Sequence, residues 1–442
     1  MKIIVIDDDP TGSQLVHDCL LLLNWNYETL LKGLLSKSSL LFVLANTRSL
    51  SEQEVKKRLK EICNNLYKVS IENNIKDNLL FVSRGDSTLR GHNFLEPDLI
   101  NEYLGPFDAT FHIPAFLEGN RITINGKHFV NGIPAHETTF AKDIIFGYET
   151  NDLKKLLYKK SRSKIELKNI ENLNCIDQQS SIELKQYMEN LKDNTHVIVD
   201  IDKFSQLEKF SEIIREKIKN KKFLFRTAAS FLKAISNTKN SKKSNFYYSQ
   251  LRVRNNLNHF LPGLIIIGSY TDISTNQFKK LLEFDCFKPI EIDVEKFYKI
   301  NVSKDKETEI YKLKNFILEK IRITLKNCFT PVIYTSRKEK NLENNLDQMN
   351  FYNSLSFFIA EIVADIKHEI GYLISKGGIT SNTILNSSFN VDYVYLEGQI
   401  CSGISLVKVK LINNNYLPVI TFPGNLGNDY SLKDVWQVIE NK

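Results

Sequence analysis

The sequence predicts an α/β protein of two domains, each built around a largely parallel sheet flanked by helices. The chain has 442 residues, which is more than one hydrophobic core usually organises. Short β-branched apolar runs alternate with longer amphipathic stretches, an alternation typical of βαβ units. The predicted strands are 2–6, 40–44, 79–83, 196–200, 222–226, 264–268, 331–335 and 372–375.

A polar and basic segment marks the predicted domain boundary. Residues 236–245, SNTKNSKKSN, contain no apolar side chain, which is the composition of a linker. We therefore predict a first domain over 1–235, a linker over 236–259 and a second domain over 260–442. Within the second domain, the polar segment 336–350 is expected to be a mobile loop.

The composition indicates a soluble globular protein. Hydrophobic residues make up 42% and charged residues 25% of the chain, and no apolar run approaches the ~20 residues of a membrane helix. The start, MKIIVIDDDPTG, has aspartates where a signal peptide needs a small-residue cleavage site. The cysteines form no CxxC pair, which favours reduced thiols. We therefore expect a cytoplasmic protein with no membrane partner.

The net charge of +7 does not indicate a nucleic-acid partner. The lysines are spread over helical stretches and alternate with glutamates, as in QEVKKRLKE over 53–61, which is typical of a solvated helix surface. The aromatic residues do not interleave with basic residues in an RNA-binding pattern. We therefore predict no nucleic-acid binding.

Three adjacent aspartates, Asp7, Asp8 and Asp9, directly follow the first predicted strand. In open α/β sheets, ligands bind beyond the carboxyl ends of the strands. Adjacent carboxylates repel each other, so at least one of them needs a ligand hydroxyl, a metal ion or a basic side chain as its partner. One aspartate or Thr11 could instead cap a following helix, but capping does not account for all three carboxylates.

The same aspartates also fit a second interpretation, a phosphatase of the haloacid dehalogenase type. In that case Asp7 would be the nucleophile and Asp9 the general acid, and the stretch FVLANTRS over 42–49 would supply a second phosphate-binding hydroxyl. The sequence DID over 200–202 is the candidate for the downstream acidic pair. Over the first 150 residues the two interpretations are equally good, and the rest of the chain decides between them.

A second polar cluster, RGDSTLRGH over 84–92, follows the strand 79–83. Arginine binds a carboxylate through two parallel hydrogen bonds, and aspartate accepts hydrogen bonds from hydroxyl groups. The cluster and the loop 114–132, which contains Arg121, therefore suit a polyhydroxy acid. A purely structural alternative is an ion pair between Asp86 and Arg90 that braces the loop. The histidines show no metal-binding spacing, so any metal ligands are unknown.

Two glycine-containing loops of the second domain suit phosphate groups. They are ISKGGITSNTIL over 374–385 and VITFPGNLGND over 419–429, and Ser269 follows an earlier strand of the same domain. Glycines allow a phosphate to approach the backbone closely, and the free N–H groups at a helix start attract it. Neither loop has the Walker A pattern, and the chain lacks the protein-kinase motifs. Each loop alone is more typical of an ordinary turn.

Together these motifs resemble the four-carbon acid sugar kinase family along nearly the whole chain. They occur in the order and at about the spacing of that family, although Phe422 and Ile379 depart from its pattern. The matching segments are DDDPTGSQ at 7–14, TRSL at 47–50, DSTLRG at 86–91, PAF and GNR within 114–121, RTAASF at 226–231, and the GGIT and PGNLG loops.

The resemblance implies a kinase that transfers the γ-phosphoryl group of ATP to a hydroxyl of threonate, erythronate or 3-oxo-tetronate, and the terminal hydroxyl is the expected acceptor. The first domain would bind the acid, the second would bind ATP, and the active site would lie in the interdomain cleft. Asp8 is expected to orient or deprotonate the attacking hydroxyl. The expected substrate-binding residues are Asp7, Asp8, Arg48, Arg84, Asp86, Ser87, Arg90 and Arg121, with Arg90 and Arg121 on the carboxylate. The expected ATP-binding residues are Ser269, Gly377, Gly378, Ile379, Thr380, Gly424, Asn425 and Gly427.

ATP implies Mg²⁺ as a cofactor, and we take a homodimer as the default oligomeric state. A protein that senses a sugar acid without catalysis is a third hypothesis. The paired glycine loops argue against it.

Overall fold

The computed structural model describes residues 1–9, 16–174, 176–217, 221–236, 243–337, 340, 342, 345–411 and 415–442. It divides into two compact units, Met1–Asn240 and Ser241–Lys442, which we call unit 1 and unit 2. Some sequence predictions fall outside the described residues: the turn at 10–12 that follows the aspartates, most of the polar boundary segment, and much of the loop predicted at 336–350.

The main sheet of unit 1 is parallel throughout its described pairings, in the order β2-β3-β1-β4-β11-β5-β10-β9. Its buried strands are rich in Ile, Leu, Val and Phe, as expected when helices cover both faces of a sheet. The strands are β1 (Lys2–Asp7), β2 (Cys19–Leu22), β3 (Leu40–Leu44), β4 (Leu79–Arg84), β5 (Ala109–Ile113), β9 (Ile170–Leu173), β10 (Thr195–Val199) and β11 (Phe223–Thr227).

A small antiparallel sheet lies in the connection between β5 and β9, within and just after the loop predicted at 114–132. Its strands are β6 (Arg121–Ile124), β7 (Lys127–Val130) and β8 (Ile133–Pro134). The helices of unit 1 are α1 (Tyr27–Leu34), α2 (Glu52–Glu72), α3 (Leu95–Leu104), α4 (Leu153–Lys160), α5 (Ser181–Asn190), α6 (Phe204–Lys217) and α7 (Ala229–Ser236).

Local sequence signals account for the start of α2. Ser51 accepts a hydrogen bond from the backbone N–H of Glu54, and the Glu54 side chain accepts one from the backbone N–H of Ser51. This reciprocal capping box satisfies two of the N–H groups that a helix start leaves free. The buried residues of α2 recur at helical spacing, which places them on one side of the helix: Val55, Leu59, Ile62, Cys63, Leu66, Val69 and Ser70.

Unit 2 has a mixed sheet in the order β13-β14-β12-β15-β18-β17-β16, in which β17 pairs antiparallel with both of its neighbours. Its strands are β12 (Leu264–Ile267), β13 (Phe287–Ile292), β14 (Thr330–Thr335), β15 (Leu373–Lys376), β16 (Tyr393–Cys401), β17 (Ile404–Lys410) and β18 (Tyr416–Phe422). Its helices are α8 (Asn245–Gln250), α9 (Asp272–Leu281), α10 (Val294–Asn301), α11 (Lys306–Lys326), α12 (Asn345–Ile366), α13 (Gly378–Ser387) and α14 (Ser431–Glu440).

Part of the predicted linker packs into unit 2. Ser244 caps α8 by accepting a hydrogen bond from the backbone N–H of Tyr247. Tyr248 is buried in the apolar core that includes Ile265, Tyr372 and Trp436. The described residues from 243 to 259 therefore belong structurally to unit 2. In the described part of the chain, no helix is long and apolar enough to cross a membrane.

The two branched aliphatic residues of α5 differ in burial, and we expect their contributions to stability to differ accordingly. Leu184 is fully buried, whereas Ile182 is 69% exposed on the same helix. Leu184→Ala should therefore lower the free energy of unfolding by about 2–5 kcal/mol, because it leaves a cavity. The matched control, Ile182→Ala, should change it by about 0.5 kcal/mol or less. Urea denaturation followed by circular dichroism measures both, and equal losses would contradict this packing.

Candidate functional site

Polar residues of unit 1 gather where the parallel strands end. Asp7 is the last residue of β1 and lies opposite Arg84, the last residue of β4. Arg48 lies in the turn after β3, the neighbour of β1 on its other side. Arg226 pairs in register with Ser83 of β4. Because parallel strands end at one edge of their sheet, residues far apart in sequence become neighbours there.

Asp8 is the centre of this cluster. Its fully buried carboxylate accepts hydrogen bonds from Arg48 Nε at 3.1 Å and Nη2 at 2.8 Å, and from Arg84 Nη1 at 3.0 Å. Burial alone would raise the pKa of Asp8, but the charges of Arg48, Arg84 and Arg226 outweigh it, so the pKa is lowered. Asp8 is therefore a carboxylate that holds two guanidinium groups in place.

Asp7 has the opposite character. It is fully buried, and burial raises the pKa of its carboxyl group to about 8 despite the attraction of Arg84. Its Oδ1 accepts a hydrogen bond from the backbone N–H of Asp9 at 3.3 Å and contacts Arg84 Nη1 at 3.5 Å. Asp7 is therefore protonated at neutral pH. Asp9 lies nearer the surface and pairs with Arg48 Nη1 at 3.3 Å.

The loop after β4 contains an ion pair between Asp86 and Arg90. The sequence analysis gave this pair as the structural alternative to a ligand-binding role. Arg90 Nε donates to Asp86 Oδ2 at 2.7 Å, and Thr88 donates to the same oxygen through its hydroxyl. Burial would raise the pKa of Asp86, but Arg90 and Arg48 hold it well below its usual range. Ser87 contributes its carbonyl oxygen, which accepts from His128 Nε2 at 2.8 Å. Asp86 thus braces this loop.

Arg121, the first residue of β6, differs from the other arginines of the cluster. Its side chain is buried, with the guanidinium carbon 5.6 Å from the centroid of the Phe116 ring. Among the described residues, no carboxylate lies within ion-pair distance of it, and no acceptor contacts its Nε. Burial lowers the pKa of Arg121. The negative charge of Asp86 opposes this shift, and the positive charge of Arg90 adds to it. Arg121 is a buried cation close to the ion pair between Asp86 and Arg90.

A second layer of charges, which the sequence analysis did not identify, supports the first. Arg226 Nη1 donates to Glu96 Oε2 at 2.6 Å and to Ser83 Oγ at 2.8 Å. Thr47 donates to the other oxygen of Glu96 at 3.0 Å. A Cβ atom on Gly85 would lie 2.3 Å from Arg226 Nη2, so Arg226 occupies the space that a side chain at that position would need. In the sequence, only the RTAASF motif indicated a role for Arg226, and nothing indicated a role for Glu96.

Three loops of unit 2 converge at the ends of the adjacent parallel strands β12, β15 and β18. They contain Gly268 and Ser269, then Gly377–Thr380, then Pro423–Gly427. Gly377 has φ of +127°, a conformation that favours glycine, and α13 begins directly after it. The first helical N–H groups of α13 have no partner within the helix, so this end of the sheet attracts anions.

The glycines of these loops leave no space for side chains. A Cβ atom on Gly424 would lie 2.6 Å from Ser269 Oγ, and one on Gly268 would lie 2.1 Å from Thr380 Oγ1. Ser274 Oγ lies at a hydrogen-bond distance of 2.9 Å from both Gly424 O, to which it donates, and Ser269 Oγ, which joins the first and third loops. Ile379 is 48% exposed at the helix start. Asn425 is half-buried and Gly427, with φ of +89°, is exposed in the third loop.

The predicted residues thus fall into two groups. The structure brings together Asp7, Asp8, Arg48 and Arg84, with the loop of Asp86, Ser87 and Arg90 and the buried Arg121 beside them. It separately brings together Ser269, Gly377, Gly378, Ile379, Thr380, Gly424, Asn425 and Gly427. In the ranges described, no group of three or more His, Cys, Asp or Glu side chains is arranged to hold a metal ion. The clustered carboxylates of unit 1 instead bind arginines.

Two family models match the chain, one for each unit. The model of a sugar-binding N-terminal domain matches residues 3–235, and that of a nucleotide-binding C-terminal domain matches residues 264–432. A segment of 64 residues is 41% identical to the D-erythronate kinase of Heliobacterium modesticaldum. This segment is 14% of the chain and spans only 15% of that relative.

Solved structures show the same fold over the whole chain. A Haemophilus influenzae protein of the DUF1537 family has a TM-score of 0.61 at 17% identity, with 99% of this chain and 100% of that protein covered. A putative tRNA synthase from Salmonella typhimurium LT2 has a TM-score of 0.67 at 14% identity, with 98% of each chain covered. At these identities the likeness concerns the fold alone.

The fold and its two strand-end sites therefore define a two-domain α/β protein that joins a sugar-binding domain to a nucleotide-binding domain. Both domain models cover the segments in which the sequence motifs lie. The chain belongs to the four-carbon acid sugar kinase family, as the motifs predicted.

The protonation of Asp7 predicts an unusual dependence of stability on pH. The folded state holds a proton up to pH about 8, whereas an unfolded aspartate releases it near pH 3.8. The unfolded state therefore binds fewer protons in this window, and the contribution of Asp7 to stability falls as the pH rises. Relative to Asp7→Asn, the wild type should lose up to about 1.4 kcal/mol of unfolding free energy per pH unit.

Asp8→Asn is the matched control for this experiment. Because the pKa of Asp8 is lowered, its contribution to stability is lost only at acid pH, below its unfolded pKa. The difference between wild type and Asp8→Asn should therefore be constant from about pH 5 to about pH 8. Urea denaturation at several pH values measures both differences. A constant difference for Asp7→Asn would show that Asp7 is ionised in the folded protein.

Proposed function

We propose that this protein is an ATP-dependent kinase that phosphorylates a hydroxyl, the terminal one, of a four-carbon sugar acid. It would be a phosphotransferase with an alcohol group as acceptor. The observation that carries the proposal is the buried Arg121, a cation with no carboxylate partner among the described residues, beside the Asp86–Arg90 pair. A carboxylate with neighbouring hydroxyls would complete this arrangement. D-erythronate is the first candidate, because the relative that matches 64 residues of the chain is named a D-erythronate kinase. Threonate and 3-oxo-tetronate are the others.

In unit 1, we assign the substrate carboxylate to Arg121 and Arg90. Arg90 uses Nε for Asp86, and its Nη1 lies 3.7 Å from Asp143 at the margin of the site. Its remaining N–H groups are therefore oriented by an existing bond before any ligand arrives. Asp86 and Ser87 would bind substrate hydroxyls, with Asp7, Arg48 and Arg84 around them. Preorganised donors and acceptors of this kind favour binding because few groups need to be ordered.

For Asp8, the low pKa favours an orienting role over a deprotonating one. A general base works best when its pKa lies near the working pH, and the arginines lower the pKa of Asp8. Phosphoryl transfer depends mainly on positioning and charge stabilisation, with little covalent chemistry for the protein. Asp8 would serve it by holding Arg48 and Arg84 in fixed positions.

In unit 2, we assign the phosphates of ATP to the three glycine loops. Gly378, Ile379, Thr380 and Gly424 would present backbone N–H groups, with Ser269, Gly377, Asn425 and Gly427 around them. The loops fit this role because a side chain at Gly268 or Gly424 would collide with its neighbour. We assign no residue to Mg²⁺, which usually binds through substrate phosphates and water. The interdomain location of the reaction, the homodimer and the cytoplasmic location remain predictions.

Neither alternative has comparable support. A haloacid-dehalogenase-type phosphatase needs Asp7 as an accessible nucleophile, but Asp7 is 0% exposed and its carboxyl group is protonated at neutral pH. A non-catalytic sensor of sugar acids would leave the nucleotide-binding domain match without a role.

The direct test is a phosphoryl-transfer assay with purified protein, ATP and Mg²⁺. We expect ADP formation with D-erythronate, threonate or 3-oxo-tetronate, and little with the neutral polyols erythritol and threitol. Phosphorus NMR of the product should show a phosphate ester on the terminal carbon. Equal use of polyols and acids would refute the acid class of substrate. Acid binding without turnover would favour the sensor, and an aspartyl-phosphate at Asp7 formed from a phosphate ester would favour the phosphatase.

Arg121→Lys tests the assignment of the substrate carboxylate. Lysine keeps the charge but cannot make the planar contact through two hydrogen bonds. An incomplete buried charge pair costs about 2–5 kcal/mol, so kcat/KM for the acid should fall by about 30-fold or more. Binding of ATP should change little. The control is Arg162→Lys, since Arg162 is exposed and pairs with Glu52; an equal loss in both variants would refute a specific role for Arg121.

A further inference from the structure

Lys376, the last residue of β15, is a fully buried lysine beneath the glycine loops of unit 2. Its Nζ donates a hydrogen bond to the carbonyl oxygen of Pro423 at 3.0 Å. The same nitrogen lies 3.7 Å from the centroid of the Phe422 ring. Its side chain thus reaches from the second loop to the base of the third, and none of the roles assigned above uses it.

This ammonium group has no counter-ion in the part of the chain that the structure describes. No carboxylate there lies within ion-pair distance of Nζ. The strand register pairs Lys376 with Ile267 of β12 and Phe422 of β18, and α13 begins with Gly-Ile-Thr-Ser-Asn-Thr. None of these residues is titratable. Burial is the one cause of the shift that lowers the pKa of Lys376 to about 7. A buried cation without a partner is costly unless an anion compensates it.

The hydrogen bond to Pro423 also determines how the third loop presents its backbone. In a trans peptide, the carbonyl oxygen and the following N–H point in opposite directions. Because Lys376 binds the oxygen of Pro423 from the buried side, the N–H of Gly424 points away from the core. The Gly424 carbonyl is held separately by the hydroxyls of Thr271 and Ser274, each at 2.9 Å.

The backbone of Lys376 connects the remaining loop to the same point. Its carbonyl oxygen accepts from the N–H groups of Gly268 at 3.0 Å and Ser269 at 3.2 Å. The next residue, Gly377, donates its N–H to Phe422 O at 2.9 Å. One residue therefore contacts all three loops, through its carbonyl on one side and its ammonium group on the other.

We propose that Lys376 is the positioning residue of the nucleotide loops: its ammonium group fixes the Pro423–Gly424 peptide and is the buried counter-charge of the bound phosphates, so nucleotide binding draws a proton from solvent onto its Nζ. This inference rests on the proposed binding of ATP by unit 2 and adds a specific regulation of that site by pH.

The direction of the effect follows from linkage. Bound phosphate favours the charged form, so the pKa of Lys376 is higher in the complex than in the free protein. Nucleotide affinity is then constant below the free-state pKa of about 7 and falls as the pH rises above it. The fall approaches about tenfold per pH unit. At about pH 8, roughly nine-tenths of the free protein carries the neutral amine, so binding takes up nearly one proton.

Calorimetry with MgADP as the probe tests this directly. Titrations at pH 8 in several buffers of different ionisation enthalpy give the number of protons taken up per nucleotide. MgADP is fully ionised at this pH, so the proton must be bound by the protein. We expect nearly one proton for the wild type and none for Lys376→Arg or Lys376→Met. Arginine stays charged, so Lys376→Arg should bind with an affinity that is constant between about pH 7 and 9.

Lys367→Met is the matched control. Lys367 also donates to a backbone carbonyl, that of Ser388 at 2.7 Å, but it is only half-buried. This variant should keep the proton uptake and the pH dependence of the wild type. If the Lys376 variants do not fold, the wild type alone decides, because an uptake near zero at pH 8 would refute the inference. Proton uptake that persists in Lys376→Met would refute it as well.

The proposed function and this inference fail in different ways. If the wild type binds no nucleotide at any pH between about 6 and 9, the assignment of ATP to unit 2 fails. If it binds nucleotide with no proton uptake and no dependence of affinity on pH, the nucleotide site stands and the role of Lys376 fails.

Discussion

The bonds from Arg48 and Arg84 to Asp8 are the interaction on which the unit 1 site depends. Three charged groups with little or no exposure meet there, and each would be costly alone because burial removes its hydration. The geometry compensates this cost: Arg48 binds Asp8 through two nitrogens, and Arg84 binds the same carboxylate through a third. Removing any one of the three leaves an unbalanced buried charge, which is strongly destabilising. The arginines are therefore fixed before a ligand binds.

The parallel register of the sheet makes this arrangement possible, and a second ion pair keeps it in place. Arg226 and Glu96 are separated by 130 positions in sequence, yet their side chains meet at 2.6 Å behind the first cluster. Ser83 and Thr47 bind the same pair from β4 and from the turn after β3. Since this turn also contains Arg48, the second layer positions the backbone from which the first layer projects. Positioning of this kind keeps a binding site within a narrow range of geometries.

Much of the fold could be predicted from the sequence, because buried parallel strands and amphipathic helices leave strong local patterns. The strand β2, which begins at Cys19, was missed because a short run of consecutive apolar residues fits a buried helix as well as a buried strand. The antiparallel strands β16 and β17 were missed because their connection at Gly403 contains no common hairpin dipeptide. Glu96 was missed for a different reason: it lies within an ordinary helical pattern, and its partner is distant in sequence. Arg90 and Asp86 were identified, but only the structure shows that they pair.

Under the proposed function, the charge arrangement of unit 1 would favour an acid over a neutral polyol as the ligand. Each of the other clustered arginines has a carboxylate partner: Arg48 has Asp8 and Asp9, Arg84 has Asp8, Arg90 has Asp86, and Arg226 has Glu96. Asp7 adds no negative charge at neutral pH because its pKa is raised to about 8. Arg121 is thus the arginine of this cluster that has no carboxylate partner among the described residues, and burial makes its charge costly. A ligand carboxylate removes that cost, whereas a hydroxyl provides hydrogen bonds without neutralising the charge. Selectivity for acids would then come from one uncompensated guanidinium, while the compensated ones hold the site in shape.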